Sequence, residues 1–117
     1  MTTDHNGAHQ FLPLTPAVFH ILLALADRER HGLGIMSDVE ERTGGAVVLG
    51  PGTLYGTIKR ILDARLIEES KDRPDAAADD SRRRYYRITD LGRRVAELES
   101  RRLAQLLGIA RDKKVYR

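Results

Sequence analysis

The stretch PGTLYGTIKRI, which begins at Pro51, sets two threonines and a tyrosine beside a lysine and an arginine. At helical spacing Leu54, Ile58, Ile61 and Leu62 form one apolar face, so Thr53, Thr57 and Arg60 fall opposite it, with Tyr55 and Lys59 to one side. Short hydroxyls, a phenol and cations are groups that can donate to phosphate oxygens or to base edges. A second basic group lies in RRRYYRITDLGRR, residues 82–94, where six arginines stand against one aspartate. The neighbouring KDRPDAAADDS, residues 71–81, holds two cations and four aspartates, so the basic charge is local although the whole chain carries only +3. Such a concentration favours a polyanionic partner. The plainer readings are a solvated arginine run, a half-buried Tyr55 ring sealing the helix edge, and threonines that serve only as N-terminal helix polarity.

Catalytic and metal chemistry find little footing. His5 and His9 are four residues apart and could chelate if helical, but no third ligand lies near them. His20 sits among apolar neighbours and His31 in a turn, both positions suited to structural histidines. The glycines of GPGT and HGLG lack the Gly-Lys-Ser/Thr ending and the preceding strand of a phosphate loop. No order of Ser, His and Asp suggests a triad, and Asp79 and Asp80 fall in a loop. The reading is therefore of a protein that is not an enzyme, with no catalytic residue, no metal and no cofactor.

These residues must be positioned by a single domain, because 117 residues give one small core. Residues 1–12 are expected as a flexible polar tail. Thr15 as cap and Pro16 as first residue open helix one, about 16–28, whose apolar face holds Val18, Phe19, Ile21, Leu22, Leu25 and Ala26. The turn ERHG leads to helix two, about 33–43, stopped by Thr43-Gly44-Gly45. Pro51 opens helix three, about 51–64. The period then changes: LIEE at 66–69 and RRYYRIT at 83–89 read as two strands of a hairpin, with Tyr86 and Ile88 on one face. The connection over 70–82 is too long for a tight turn and is expected to be a mobile tip. Thr89 can cap a last helix over about 90–111.

That order is an α+β, mostly helical winged helix-turn-helix: three helices and a two-stranded wing over 13–89, then a long C-terminal helix and short tail over 90–117. In that arrangement the third helix enters the major groove and the hairpin tip reaches neighbouring phosphates or the minor groove. Arg82, Arg83 and Arg84, at the start of the second wing strand, are expected on phosphates or in the minor groove.

Three segments, GPGTLYGTIKRILDARLIEE, HGLGIMSDVEERTGG and RRRYYRITDLGRR, together resemble the PadR family of bacterial transcriptional regulators over about 15–110. In that family a GTLY motif opens the recognition helix and a YxLT-like motif ends the wing. The resemblance implies a homodimeric repressor of the short subgroup with a single helix after the wing, bound to a double-stranded operator through residues matching Thr53, Tyr55, Lys59 and the wing arginines. Two positions depart from the pattern: Leu33 stands where relatives often have an aromatic, and Arg65 where they often have glycine. A non-glycine residue in the left-handed region costs about 1 kcal/mol, so a different exit from helix three is expected.

The last helix carries Leu91, Val95, Leu98, Leu103, Leu106 and Leu107 on more than one side, and a lone domain can bury one side only. The rest is expected to meet a second copy, helped by Phe19 and Leu23 of helix one. An unknown small-molecule effector is compatible with this class. The readings from other classes are a winged-helix protein–protein module without DNA function and a small-ligand-binding dimer. The chain has no cysteine, no signal-peptide pattern and no stretch near the roughly 20 apolar residues of a membrane span, so a cytoplasmic protein with no membrane partner is expected.

Overall fold

The computed structural model describes residues 5–70 and 84–117. The expected wing tip, with Arg82 and Arg83, lies outside the described residues except for Ser70.

Helix α1, Pro16–Ala26, begins where Thr15 accepts a hydrogen bond from the Val18 amide at 3.3 Å and proline fills the first turn. A two-residue strand β1, Arg30–His31, runs directly into helix α2, Gly32–Arg42, whose first turn is capped by His31 Nδ1 accepting from the Gly34 amide at 3.0 Å. Helix α3 spans Pro51–Asp63, again with proline in its first turn. Strands β2, Ile67–Glu69, and β3, Tyr85–Ile88, precede helix α4, Asp90–Asp112. At about 1.5 Å per residue those 23 residues reach roughly 34 Å.

The sheet has three antiparallel strands in the order β1-β3-β2, with Arg30 opposite Tyr86 and Glu68 opposite Arg87. Period-two alternation in the sequence marks only β2 and β3, because a two-residue strand has no alternation to detect. Ile21, Leu22 and Leu25 of α1, Ile35 of α2, Leu54 of α3, Leu66 in the turn after it, Ile67 of β2 and Val95 of α4 are fully buried together. Each such side chain stabilises the fold by about 1.5–3 kcal/mol relative to exposure. Residues 5–11, expected within a polar tail, instead form a short 3-10 helix whose Ala8 is fully buried.

Three polar fastenings fix the angles between elements. Asp38 of α2 is buried and receives Arg30 from β1 at 3.2 Å and Arg42 at 2.9 Å, while Arg30 Nε also donates to the Ala24 carbonyl at 2.7 Å. Glu99 of α4, likewise buried, accepts from the Leu14 amide at 3.2 Å and pairs with Arg102 at 2.7 and 2.9 Å. Thr89 caps α4 by accepting from the Gly92 amide at 3.0 Å, and its hydroxyl lies 2.7 Å from the Arg65 carbonyl and 3.0 Å from that of Leu66, either of which it can donate to. Gly92 permits this approach, since a Cβ there would overlap the Leu66 carbonyl oxygen.

The exit from α3 answers the expectation about Arg65. Arg65 adopts φ 64°, the Arg65 amide donates to Leu62 and the Leu66 amide to Ile61, which is the helix ending that glycine usually completes. The geometry is kept and the Cβ cost of about 1 kcal/mol is carried.

Candidate nucleic-acid interface

Helix α3 presents Thr53, Tyr55, Lys59 and Arg60 on its exposed side, with Leu54, Ile58 and Ile61 in the core. Thr57 does not join them. It is 1% exposed, a correction to its placement on the outer face. Thr57 lies three residues after Leu54 and four before Ile61, on the row that packs inward. Its Oγ1 accepts from Arg60 Nη2 at 3.2 Å. Lys59 makes only a loose pair with Asp63 at 3.8 Å, both largely exposed.

The N-terminal turn of α3 follows Gly50, which supplies no side-chain cap. Amide N–H groups of the first turn therefore remain available beside Thr53, with the positive end of the helix dipole behind them. Tyr55 is 45% exposed, and its phenol packs against Gly32 at the start of α2, where an added Cβ would collide with the ring. The sealing role and a partly exposed ring thus coexist in one side chain, whose hydroxyl end is the part nearest Gly32. Gly32 is the position that residue-type reasoning missed; the His-Gly pair was its sequence signal. Leu33 and Val48 are also strongly exposed, at the start of α2 and in the turn before α3.

At the wing, Arg84 is exposed with Nε 3.7 Å from Glu69 Oε2. Arg87 Nε donates to Glu68 Oε2 at 2.8 Å, and Nη1 lies 3.9 Å from Glu29. Ser70 Oγ donates to Glu29 Oε1 at 2.7 Å, fastening the base of the wing to the β1 turn. Arg93 donates to the Ala26 carbonyl at 3.0 Å and Arg94 pairs with Glu97 at 3.0 Å. Much of the positive charge counted along 82–94 is therefore engaged within the chain. Burial raises the Tyr86 phenol above the ordinary tyrosine range, so this ring stays neutral in the sheet.

The apolar residues of α4 divide by position. Val95 is fully buried in the chain's own core, which corrects its assignment to an intermolecular face, and Leu91 and Leu98 are partly buried against the same core. Leu103 is half-buried, while Leu106, Leu107 and Ile109 are about half exposed beyond the core. On α1, Leu23 is 45% exposed and Phe19 packs partly on the core.

Three helices, a small antiparallel sheet with a wing and a following long helix define a winged helix-turn-helix protein. Residues 21–98 match the family described as Transcriptional regulator PadR-like family, and the chain belongs to that family. That family is one of transcriptional regulators. Its fold matches that of a PadR family transcription regulator from Clostridium difficile, with a TM-score of 0.71, 22% identity, and coverage of 84% of this chain and 97% of that one. It is 33% identical over 88 residues to an uncharacterized transposon protein of Streptomyces fradiae, covering 75% of this chain and 23% of that protein. It is 30% identical over 73 residues to uncharacterized protein X of Lysinibacillus sphaericus, covering 62% of this chain and 64% of that protein. The chain thus spans less than two thirds of either of these relatives. Among the described residues no helix is long and apolar enough to cross a membrane.

Proposed function

We propose that the protein is a sequence-specific, homodimeric DNA-binding repressor. Its α3 reads the major groove, its wing meets flanking phosphates, and the outer half of α4 joins the two subunits. The observation that carries the reading is the exposed side of α3, where Thr53 and Tyr55 stand near a helix start without a side-chain cap and Lys59 and Arg60 continue the same open side toward its other end. Amides and hydroxyls at a helix N-terminus, with cations farther along the same helix, are donors for phosphate and base edges. Arg84, together with Arg82 and Arg83 beyond the described residues, supplies sequence-independent contacts in this scheme.

The dimer rests on Leu103, Leu106 and Leu107 of α4 with Leu23 and Phe19 of α1, since three half-exposed aliphatic side chains on one helix are poorly served by water. A two-fold axis there would set two α3 helices about 34 Å apart, one turn of DNA. Footprinting of genomic DNA fragments bound by the purified protein tests the proposal. A short, roughly palindromic protected site is expected; uniform low-affinity binding to all fragments would favour a winged-helix protein–protein module instead.

A further inference from the structure

Thr57 is a polar side chain in an apolar layer, and valine would fill the same volume without a buried hydroxyl. Its acceptor oxygen is turned to the exposed guanidinium of Arg60, 3.2 Å away. A Cβ added at Gly56 would lie 4.0 Å from Arg60 Nη1, so the arginine folds back along α3 over a residue that has no side chain. Long helical side chains lean toward the N-terminus, here the end of α3 assigned to the groove. An arginine on an open helix face otherwise samples many rotamers and loses that freedom only on binding. One N–H held by a rigid core acceptor leaves the remaining donors of the planar fork oriented in advance.

We infer that Thr57 is a positioning residue for DNA reading, its buried hydroxyl orienting the Arg60 guanidinium so that Arg60 discriminates a base edge instead of acting as a diffuse phosphate charge. The inference rests on the DNA-binding reading of α3. It assigns Thr57 no contact with DNA.

The test uses the full chain, a duplex selected from a random-sequence library by the wild type, and an unrelated duplex of equal length. Thr57→Val is expected to lower the ratio of selected to unrelated affinity about fivefold. It should leave the salt dependence of binding unchanged, because no phosphate contact is lost. Thr57→Ser, which keeps the hydroxyl, should retain the wild-type ratio, and Thr57→Val should have no further effect in an Arg60→Ala background. Wild-type discrimination by Thr57→Val would overturn the inference, as would an undiminished effect of Thr57→Val when Arg60 is alanine. A packing role predicts the reverse order, with serine damaged and valine spared, and that result also overturns it. Full discrimination by Arg60→Ala would refute the orienting role while leaving DNA recognition intact; a wild type that selects no sequence would sink the DNA-binding reading itself.

Discussion

The Tyr55 ring of α3 lies against Gly32 at the start of α2, where an added Cβ would come within 2.8 Å of ring carbons. The two helices of the helix-turn-helix are thereby indexed by one ring on one bare backbone position. Gly32→Ala should displace the ring outward, because the atoms it meets belong to the far end of a side chain. The expected loss of stability is about 1 kcal/mol, and operator affinity should fall further than stability does. Tyr55→Phe keeps the packing and should cost about 1 kcal/mol in operator binding with the melting temperature nearly unchanged. Binding titrations and thermal melts on the two variants separate these effects; normal operator binding by Tyr55→Phe would leave the ring with a packing role alone.

A Cβ at Gly92 would meet the Leu66 backbone first and the Ile88 side chain next, and the Leu66 carbonyl cannot step aside while it accepts the Thr89 amide at 3.1 Å. Gly92→Ala should destabilise the domain by about 3 kcal/mol or more, measured by urea unfolding. A near-neutral result would mean that α4 can shift its start without disturbing the wing.

The two halves of α4 should respond oppositely to mutation. Leu103→Asp combined with Leu106→Asp should give a folded monomer in sedimentation at micromolar concentration, with tight operator binding lost. Val95→Ala should instead lower stability by about 2 kcal/mol or more by opening a cavity in the core. A wild-type monomer under the same conditions would count against the dimer.

Glu99 should contribute an acid-sensitive part of stability. Its carboxyl is held below the ordinary glutamate range, first by the hydrogen bond from Arg102 and also by the Leu14 amide, against a burial effect of opposite sign. A folded-state value below the unfolded one, about 4.3, gives a contribution fully present above that pH. The contribution is lost as pH falls through the folded value. Melting temperature followed from pH 7 downward should therefore fall more steeply below about pH 4 in the wild type than in Glu99→Gln. Parallel curves would remove Glu99 from the acid response.

At the wing, Arg84 stands near Glu69, so neutralising the acid should strengthen binding to all DNA alike. Glu69→Gln is expected to raise operator and unrelated affinities together. Arg84→Ala should lower both and make the slope of log K against log salt shallower by about 1.8, for one phosphate lost in each of two subunits. A change confined to one DNA sequence would show that Arg84 reads bases.

What the sequence determined by itself was local in origin. Pro16 and Pro51 opened α1 and α3, Thr15 and Thr89 capped α1 and α4, and the apolar rows of Leu54, Ile58 and Ile61 gave α3 its period; the motif order then pointed to the family. Tertiary structure decided the features that depend on partners distant in the chain. Strand β1 exists because Arg30 and His31 pair with Tyr86 and Tyr85, and two residues carry no period of their own. Arg65 takes a left-handed φ of 64° because its carbonyl and that of Leu66 are held by Thr89. Thr57 turned inward although its type suggests water. The sheet and α1 cover more of α3 than its aliphatic row marks out, and a guanidinium one turn away satisfies the hydroxyl. Residue type reports the transfer preference of a side chain taken alone, whereas burial depends on which surfaces meet, and only the folded chain brings those together.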